Sequence, residues 1–274
     1  MRDLKRQNAT LQIRPPVAAG LFYPADPDVL KKEIARFLHE AVLRGANHTG
    51  LVPKALISPH AGYPYSGPVA ASGYALLEPI RHRIERVVLL GPSHRVPFHG
   101  LAASHADAFA TPLGPIAVDP EALATALALP QVHLLDEAHR QEHSLEVQLP
   151  MLQVCLDNFS LVPLVIGLAS ASEVAEVIGP FWNDKTLLVV SSDLSHYHDW
   201  QTARAIDSET SRLIERCQWQ QLDGKRACGY GGIRGLLKFA EEHHLRVESV
   251  DLRNSGDTQG GKDRVVGYGS YVIS

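Results

Sequence analysis

Apolar residues recur along this chain in two periods, and the switching between them outlines an alternating fold. Leu30, Ile34, Phe37, Leu38, Ala41 and Val42 follow helical spacing and line one face of an amphipathic helix running to about residue 43. Asp26 followed by Pro27 supplies its start, a capping carboxylate and then a proline where the missing N–H costs nothing. Compact apolar runs mark strands at 55–57, 86–91, 161–166 and 187–190, and shorter stretches at 101–103 and 116–118 read as hairpin strands. Between them the spacing predicts helices over 68–77, 120–127, 144–156, 171–181, 199–216 and 233–243. In 144–156 the apolar face is Leu145, Leu149, Leu152 and Leu156, and Pro150 inside it predicts a kink or a break. Residues 247–252 and 265–273 close the chain as strands with no helix between them. Strands alternating with helices imply an α/β protein with a mostly parallel sheet covered on both faces. The final pair implies an antiparallel portion, so the sheet is partly mixed.

Residues 1–15 read as a flexible, polar lead-in ending at Pro15 and Pro16, residues 45–50 as a loop, and 16–274 as a single domain. No repeat, low-complexity tract or composition break marks a linker. Hydrophobic residues make up 45% of the 274 positions, enough for a sizeable core. The net charge of −4, from 26 basic and 30 acidic residues, gives no footprint for nucleic acid. The N-terminal residues do not read as a secretory signal, and no stretch approaches the ~18 apolar residues of a membrane span. Cys155, Cys217 and Cys228 are too few for a disulfide framework, so the expectation is a reducing, cytoplasmic setting with no membrane partner.

The chemically capable residues follow the strands. After the first core strand come Ser58, Pro59, His60, Ala61 and Gly62; after the second, Pro92, Ser93 and His94; after the fourth, Ser191, Ser192, Asp193, Leu194, Ser195 and His196. In open α/β sheets ligands bind beyond the carboxyl ends of the strands, so parallel pairing would bring all three turns to one edge. His60 and His94 each suit a metal ligand or a loop-capping imidazole. Cys228 lies in a glycine-rich turn just before a helix, where a thiol suits a metal ligand, a nucleophile or a small buried residue. His143 can act as an acid or base with Glu146 orienting it, and Ser144 reads as a helix N-cap. Asp193 with His196 suits a proton-moving pair, or a solvated loop. Gly256, Gly261 and Lys262 nearly match a phosphate-binding loop, but Asp263 stands where a hydroxyl is needed and a strand follows. That segment reads instead as a hairpin loop or a loop flanking the pocket.

Ordered blocks across nearly the whole chain carry a family resemblance. They are Ala18 to Pro24, Pro59 to Tyr63, Gly91 to His94, Glu142 to Glu146, Ser191 to Asp193 with His196, Cys228 with Gly229, Asn254 to Asp257, and Val265 to Tyr268. Together they resemble the Memo family, the B component of a group that also includes a radical-SAM protein and an AMMECR1-like protein. The resemblance implies a three-layer αβα fold similar to class III extradiol ring-cleaving dioxygenases. It also implies a metal pocket in which His60 and His94 keep the two histidines of those enzymes and Cys228 takes the place of their glutamate. His143, Asp193 and His196 match the positions flanking that pocket and are the expected catalytic groups. Beside the resemblance, Tyr63, Tyr65, Glu146 and Tyr230 are expected as pocket or substrate-binding residues. The implied metal is iron(II) or copper, with zinc as a further candidate, because thiolate is softer than carboxylate.

Three functions follow as expectations: a metal-dependent, dioxygenase-like redox enzyme acting on a small molecule; a metal-free enzyme with Cys228 as nucleophile; and a non-enzymatic adaptor holding a peptide or protein ligand. The first places a metal ion on His60, His94 and Cys228. The radical-SAM and AMMECR1-like proteins are the expected partners.

Overall fold

The computed structural model describes residues 11–45 and 50–274. Twelve strands and eight α-helices are present among them, in the order β1 Ile13–Arg14, α1 Pro27–Arg44, β2 Ala55–Ser58, α2 Tyr63–Tyr74, β3 Arg86–Pro92, β4 Leu101–Ala103, β5 Ala108–Thr111, β6 Gly114–Ala117, α3 Pro120–Leu127, β7 Val132–Leu134, α4 Asp136–Arg140, α5 Leu149–Cys155, β8 Ser160–Ile166, α6 Ala171–Ile178, β9 Thr186–Ser191, β10 His196–His198, α7 Trp200–Glu215, α8 Tyr230–Glu242, β11 Val247–Asn254 and β12 Val265–Ile273. Among the described residues, no helix is long and apolar enough to cross a membrane.

Nine strands form the main sheet, in the order β10-β12-β2-β9-β3-β8-β4-β7, with β11 along the other side of β12. Its centre, β2, β9, β3 and β8, pairs in parallel. β4 runs antiparallel to β8, and β12 antiparallel to β2 and β11, so the sheet is mixed as expected. Strand β3 shows why it needs cover on both faces. Val87 and Leu89 point into one apolar cluster with residues of α1, α2 and α5, while Val88 and Leu90 point into a second with residues of α6, α7 and α8. Alternation along a strand sends neighbours to opposite faces, and both faces being apolar produces the three-layer α/β architecture.

Several local expectations change. The lead-in ends earlier than residue 15: Ile13–Arg14 pairs in parallel with β5, which pairs with β6, making a separate three-stranded sheet. The rest of that segment, residues 1–10, and residues 46–49 of the loop expected at 45–50 lie outside the described residues. α2 starts at Tyr63, five residues before the predicted start, because Pro64 sits in its first turn and Pro68 is accommodated inside it. The break predicted by Pro150 is present. A 3-10 turn at Glu146–Gln148 precedes α5, with Pro150 in the first turn. Ser144 is therefore not a cap; its hydroxyl donates to the Pro92 carbonyl at 2.9 Å and its N–H to Glu142 at 2.9 Å. The loop after Asn254 carries a 3-10 turn at Ser255–Asp257 and leads directly into β12, consistent with rejecting a phosphate loop there.

One buried imidazole braces β4, the strand next to the sheet's edge. His139, 2% exposed, donates from Nε2 to the Ala102 carbonyl of β4 at 2.9 Å, while its Nδ1 has no partner among the described residues. Burial pulls its pKa down from 6.5 to about 4. The unfolded chain then takes up this proton before the folded one, so the stability His139 contributes is lost as pH falls from about 6.5 towards 4. Replacing it with glutamine, which keeps a donor for Ala102, should flatten the pH dependence of unfolding free energy in that window. The expected change is up to about 1.4 kcal/mol per pH unit, measured by urea denaturation; an unchanged slope would contradict a neutral buried His139.

Candidate metal centre

The parallel pairing of β2 with β9 and β9 with β3 places the carboxyl ends of three strands on one edge. Each strand stops two residues short of a side chain in the cavity beyond it. β2 ends at Ser58 before His60, β3 at Pro92 before His94, and β9 at Ser191 before Asp193. The cavity has a volume of about 770 Å³ and its wall also includes Phe22, His143, His196, Tyr197, His198, Lys225 and Cys228. The convergence expected at the sheet's edge is thus present.

Three imidazoles form its compact centre. One nitrogen each of His60, His94 and His143 lie within 4.8 Å of one another, a group that could hold a metal ion. Their rings pack together: His94 stacks on His143 at 4.7 Å between centroids, and His60 meets both edge-on at 5.2 and 5.5 Å. The outer nitrogens are held from behind. His60 Nδ1 is 2.8 Å from Ser191 Oγ, and His94 Nδ1 is 2.9 Å from Glu142 Oε1. Such anchoring fixes ring orientation and leaves Nε2 for a ligand, the arrangement metal-binding histidines use. The donor set and its support therefore fit a metal.

Electrostatics keep the His60 and His143 rings neutral and ready to coordinate. Burial lowers the His60 pKa to about 3, with the neighbouring His94 charge adding to it. Burial, followed by His60, lowers His143 to about 4. Glu142 runs the other way. Burial pushes its carboxyl up, but hydrogen bonding and charge from His94, with the backbone N–H groups of His94 and Ser144, outweigh burial and bring it to about 2. Its second oxygen accepts the His94 backbone N–H at 2.7 Å, and Oε1 also lies 3.5 Å from His143 Nδ1.

Cys228 sits beside this centre. Its Sγ is 3.3 Å from His60 Nε2, close to the roughly 3.5 Å that separates two donors on one tetrahedral ion. It lies outside the compact three-nitrogen group, in which His143 stands where Cys228 was expected. The thiol is tied to the β9 turn: it accepts from Asp193 N–H at 3.3 Å, and the Cys228 N–H donates to the Asp193 carbonyl at 3.2 Å. Gly229 allows this approach, because a Cβ there would lie 2.5 Å from the Ser191 carbonyl oxygen.

The remaining expected site residues separate. His143 and His196 are at the cavity, as is Asp193. The Asp193 carboxylate, however, is spent on the backbone N–H groups of His60 at 2.7 Å and Ala61 at 3.3 Å, so it holds the His60 loop instead of pairing with His196. Tyr63 is a core residue, 1% exposed, packed against Tyr23 and Phe37 and donating to the Val147 carbonyl. Tyr65 is 42% exposed and lies off the cavity wall. Tyr230 lines an adjoining cavity of about 270 Å³ that shares Cys228. Glu146 is fully buried and faces away, towards Arg14, Val17, Ala18 and Tyr23, so it does not orient His143; Glu142 orients His94 instead. Phe22, Ser191, His198 and Lys225 are additional site residues. The block from Ala18 to Pro24 and the serine ending the fourth core strand were the signals for the first two.

Fold and site together define a three-layer α/β protein with a possible three-histidine metal centre at the carboxyl edge of its sheet. A profile for Memo-like proteins matches residues 14–272. The chain is 35% identical to a MEMO1 family protein of Methanosarcina barkeri, covering 95% of this chain and all of that one. It is 36% identical to one of Saccharolobus solfataricus over 93% and 97% of the two chains, and 35% identical to one of Thermotoga neapolitana over 96% and 100%. The chain belongs to the Memo family. The crystal structure of an uncharacterized Escherichia coli K12 protein, JW3007, superimposes with a TM-score of 0.51 over 81% of this chain and all of that one; at 12% identity it shows the shared fold.

If Glu142 orients His94, replacing it with alanine should weaken divalent-metal affinity by about 10–100-fold, measured by isothermal titration calorimetry. Affinity equal to the parent protein would show that the carboxylate does not serve the site.

Proposed function

We propose that this Memo-family protein binds one iron or copper ion through His60, His94 and His143, with Cys228 as an adjacent donor, and catalyses dioxygenase-like redox chemistry on a small substrate. The observation that carries this reading is the meeting of three imidazole nitrogens within 4.8 Å, two of the rings held from behind by Ser191 and Glu142. Imidazole suits iron, copper and zinc, while magnesium and calcium prefer oxygen donors, and a neighbouring thiol adds soft character. A bound iron or copper ion would supply electron transfer and Lewis acidity at the cavity floor.

The protein's own groups supply the rest. The cavity of about 770 Å³ has room for a small molecule, and its wall carries Phe22 and Tyr197 beside the imidazoles. His196 and His198 stand on that wall as groups able to give or take a proton from bound substrate. Lys225 adds a positive charge, suited to an anionic substituent. Asp193 keeps the His60 turn and the Cys228 turn in register by bonding to both.

A metal-free cysteine mechanism finds less support. Burial, reinforced by Asp193, pushes the Cys228 thiol up to about 12, away from the thiolate a nucleophile needs.

Metal analysis after anaerobic purification and reconstitution with iron(II) or copper checks the proposal. The expected result is about one equivalent per chain for the parent protein and a marked fall in His60→Ala and His94→Ala, each of which breaks the three-imidazole group. Equal metal content in the parent protein and His60→Ala, or none in either after reconstitution, would overturn it.

A further inference from the structure

The pocket has a wall that does not belong to the sheet's edge. Between β1 and α1 the chain crosses the site as a strap, and one carboxylate holds it there. Glu146 is fully buried and accepts from Arg14 Nη1 at the end of β1 and from three donors on the strap: Val17 N–H at 2.8 Å, Ala18 N–H at 2.7 Å and Tyr23 hydroxyl at 2.6 Å. Arg14 carries the connection onward. Its Nη2 donates to the carbonyl of Glu142 at 2.6 Å and its Nε to the carbonyl of His139 at 2.9 Å. A buried carboxylate that accepts this many bonds fixes its partners in one geometry, since each would otherwise be left unsatisfied.

The strap then reaches the metal centre through Phe22. The Phe22 ring stacks on His143 at 4.4 Å between centroids, with 28° between planes, and lines the cavity. Its backbone is pinned on both sides: its N–H donates to Ala18 at 2.8 Å, and its carbonyl accepts the Tyr63 N–H at 2.7 Å. Among the described residues, His143 makes one long contact, 3.5 Å, with Glu142 and no shorter side-chain hydrogen bond comparable to those holding His60 and His94. Stacking from Phe22 and His94 is what holds its ring. One tight turn, closed by the Val147 N–H donating to the His143 carbonyl at 3.0 Å, carries His143 towards the cavity and Glu146 towards the strap.

We propose that Arg14, Glu146 and Phe22 are positioning residues for His143, with the Glu146 carboxylate latching the strap so that Phe22 sets the orientation of the His143 ring. This rests on the reading that His143 serves the metal centre. The third imidazole is then placed by a segment far away in sequence, and the centre is complete only when the strap is docked. His60 is anchored apart from it, by Ser191 and Asp193.

The test uses the full chain, the variants Glu146→Gln, Phe22→Leu and Phe22→Tyr, and two readouts. In the metal-free protein, the ring resonances of His143 are followed by long-range nitrogen–proton correlation. In a parallel titration, cobalt(II) affinity is measured by visible absorption. Glu146→Gln and Phe22→Leu should each shift the His143 resonances, leave those of His60 in place, and weaken cobalt(II) about ten-fold. Phe22→Tyr, which keeps the aromatic plane, should restore both. A lower melting temperature with His143 signals and cobalt(II) affinity unchanged would reduce the latch to a structural brace and overturn the proposal. Should Glu146→Gln fail to fold, Phe22→Leu decides alone, since it removes no buried charge. Absence of cobalt(II) binding in the parent protein would count against the metal reading, while the His143 resonances would still decide whether Phe22 positions the ring.

Discussion

Parallel pairing among β2, β9 and β3 is the constraint on which the site depends. It forces Ser58, Ser191 and Pro92 onto one edge, and with them the turns that carry His60, Asp193 and His94. Antiparallel neighbours would have sent alternate strand ends to opposite edges and scattered these residues. The apolar residues on both faces of β3 make the arrangement stable, because such a strand must be covered by helices on each side. Burial that stabilises the fold therefore also gathers the chemistry.

Three buried carboxylates then convert gathered loops into a defined centre. Asp193 binds the backbone of the His60 turn, Glu142 binds backbone and ring of His94, and Glu146 binds the strap. Each is offset by N–H, hydroxyl or guanidinium donors, as a buried charge must be. Two of them come from one short stretch, and their opposite directions tie the cavity to the second, smaller sheet. None of the three sits in the three-nitrogen group itself; they order it.

The architecture was legible in the sequence because periodicity reports burial. Capped α1 and the apolar core strands stood where spacing placed them, and Pro150 marked a real break. The convergence of His60, His94 and Cys228 on one pocket was legible too, from strand ends and family resemblance. What spacing could not give was direction within a turn. Glu142 precedes His143 by one residue and Glu146 follows it by three, and the 3-10 turn at Glu146–Gln148 decides which faces the cavity. Tyr63 likewise reads as polar-aromatic and near the site, yet it opens α2 on the buried side. β10 was invisible because His196, Tyr197 and His198 carry no apolar alternation. It is held by β12 through an irregular register, with Tyr197 at a φ of 63°.

The most direct measurement is anomalous scattering from crystals grown with iron(II) or copper, collected on both sides of each metal's absorption edge. The account predicts one strong difference peak among the Nε2-bearing faces of His60 and His94, the ring of His143 and the sulfur of Cys228. A metal-loaded crystal with no peak there, or with its only ordered metal at another part of the surface, would contradict it.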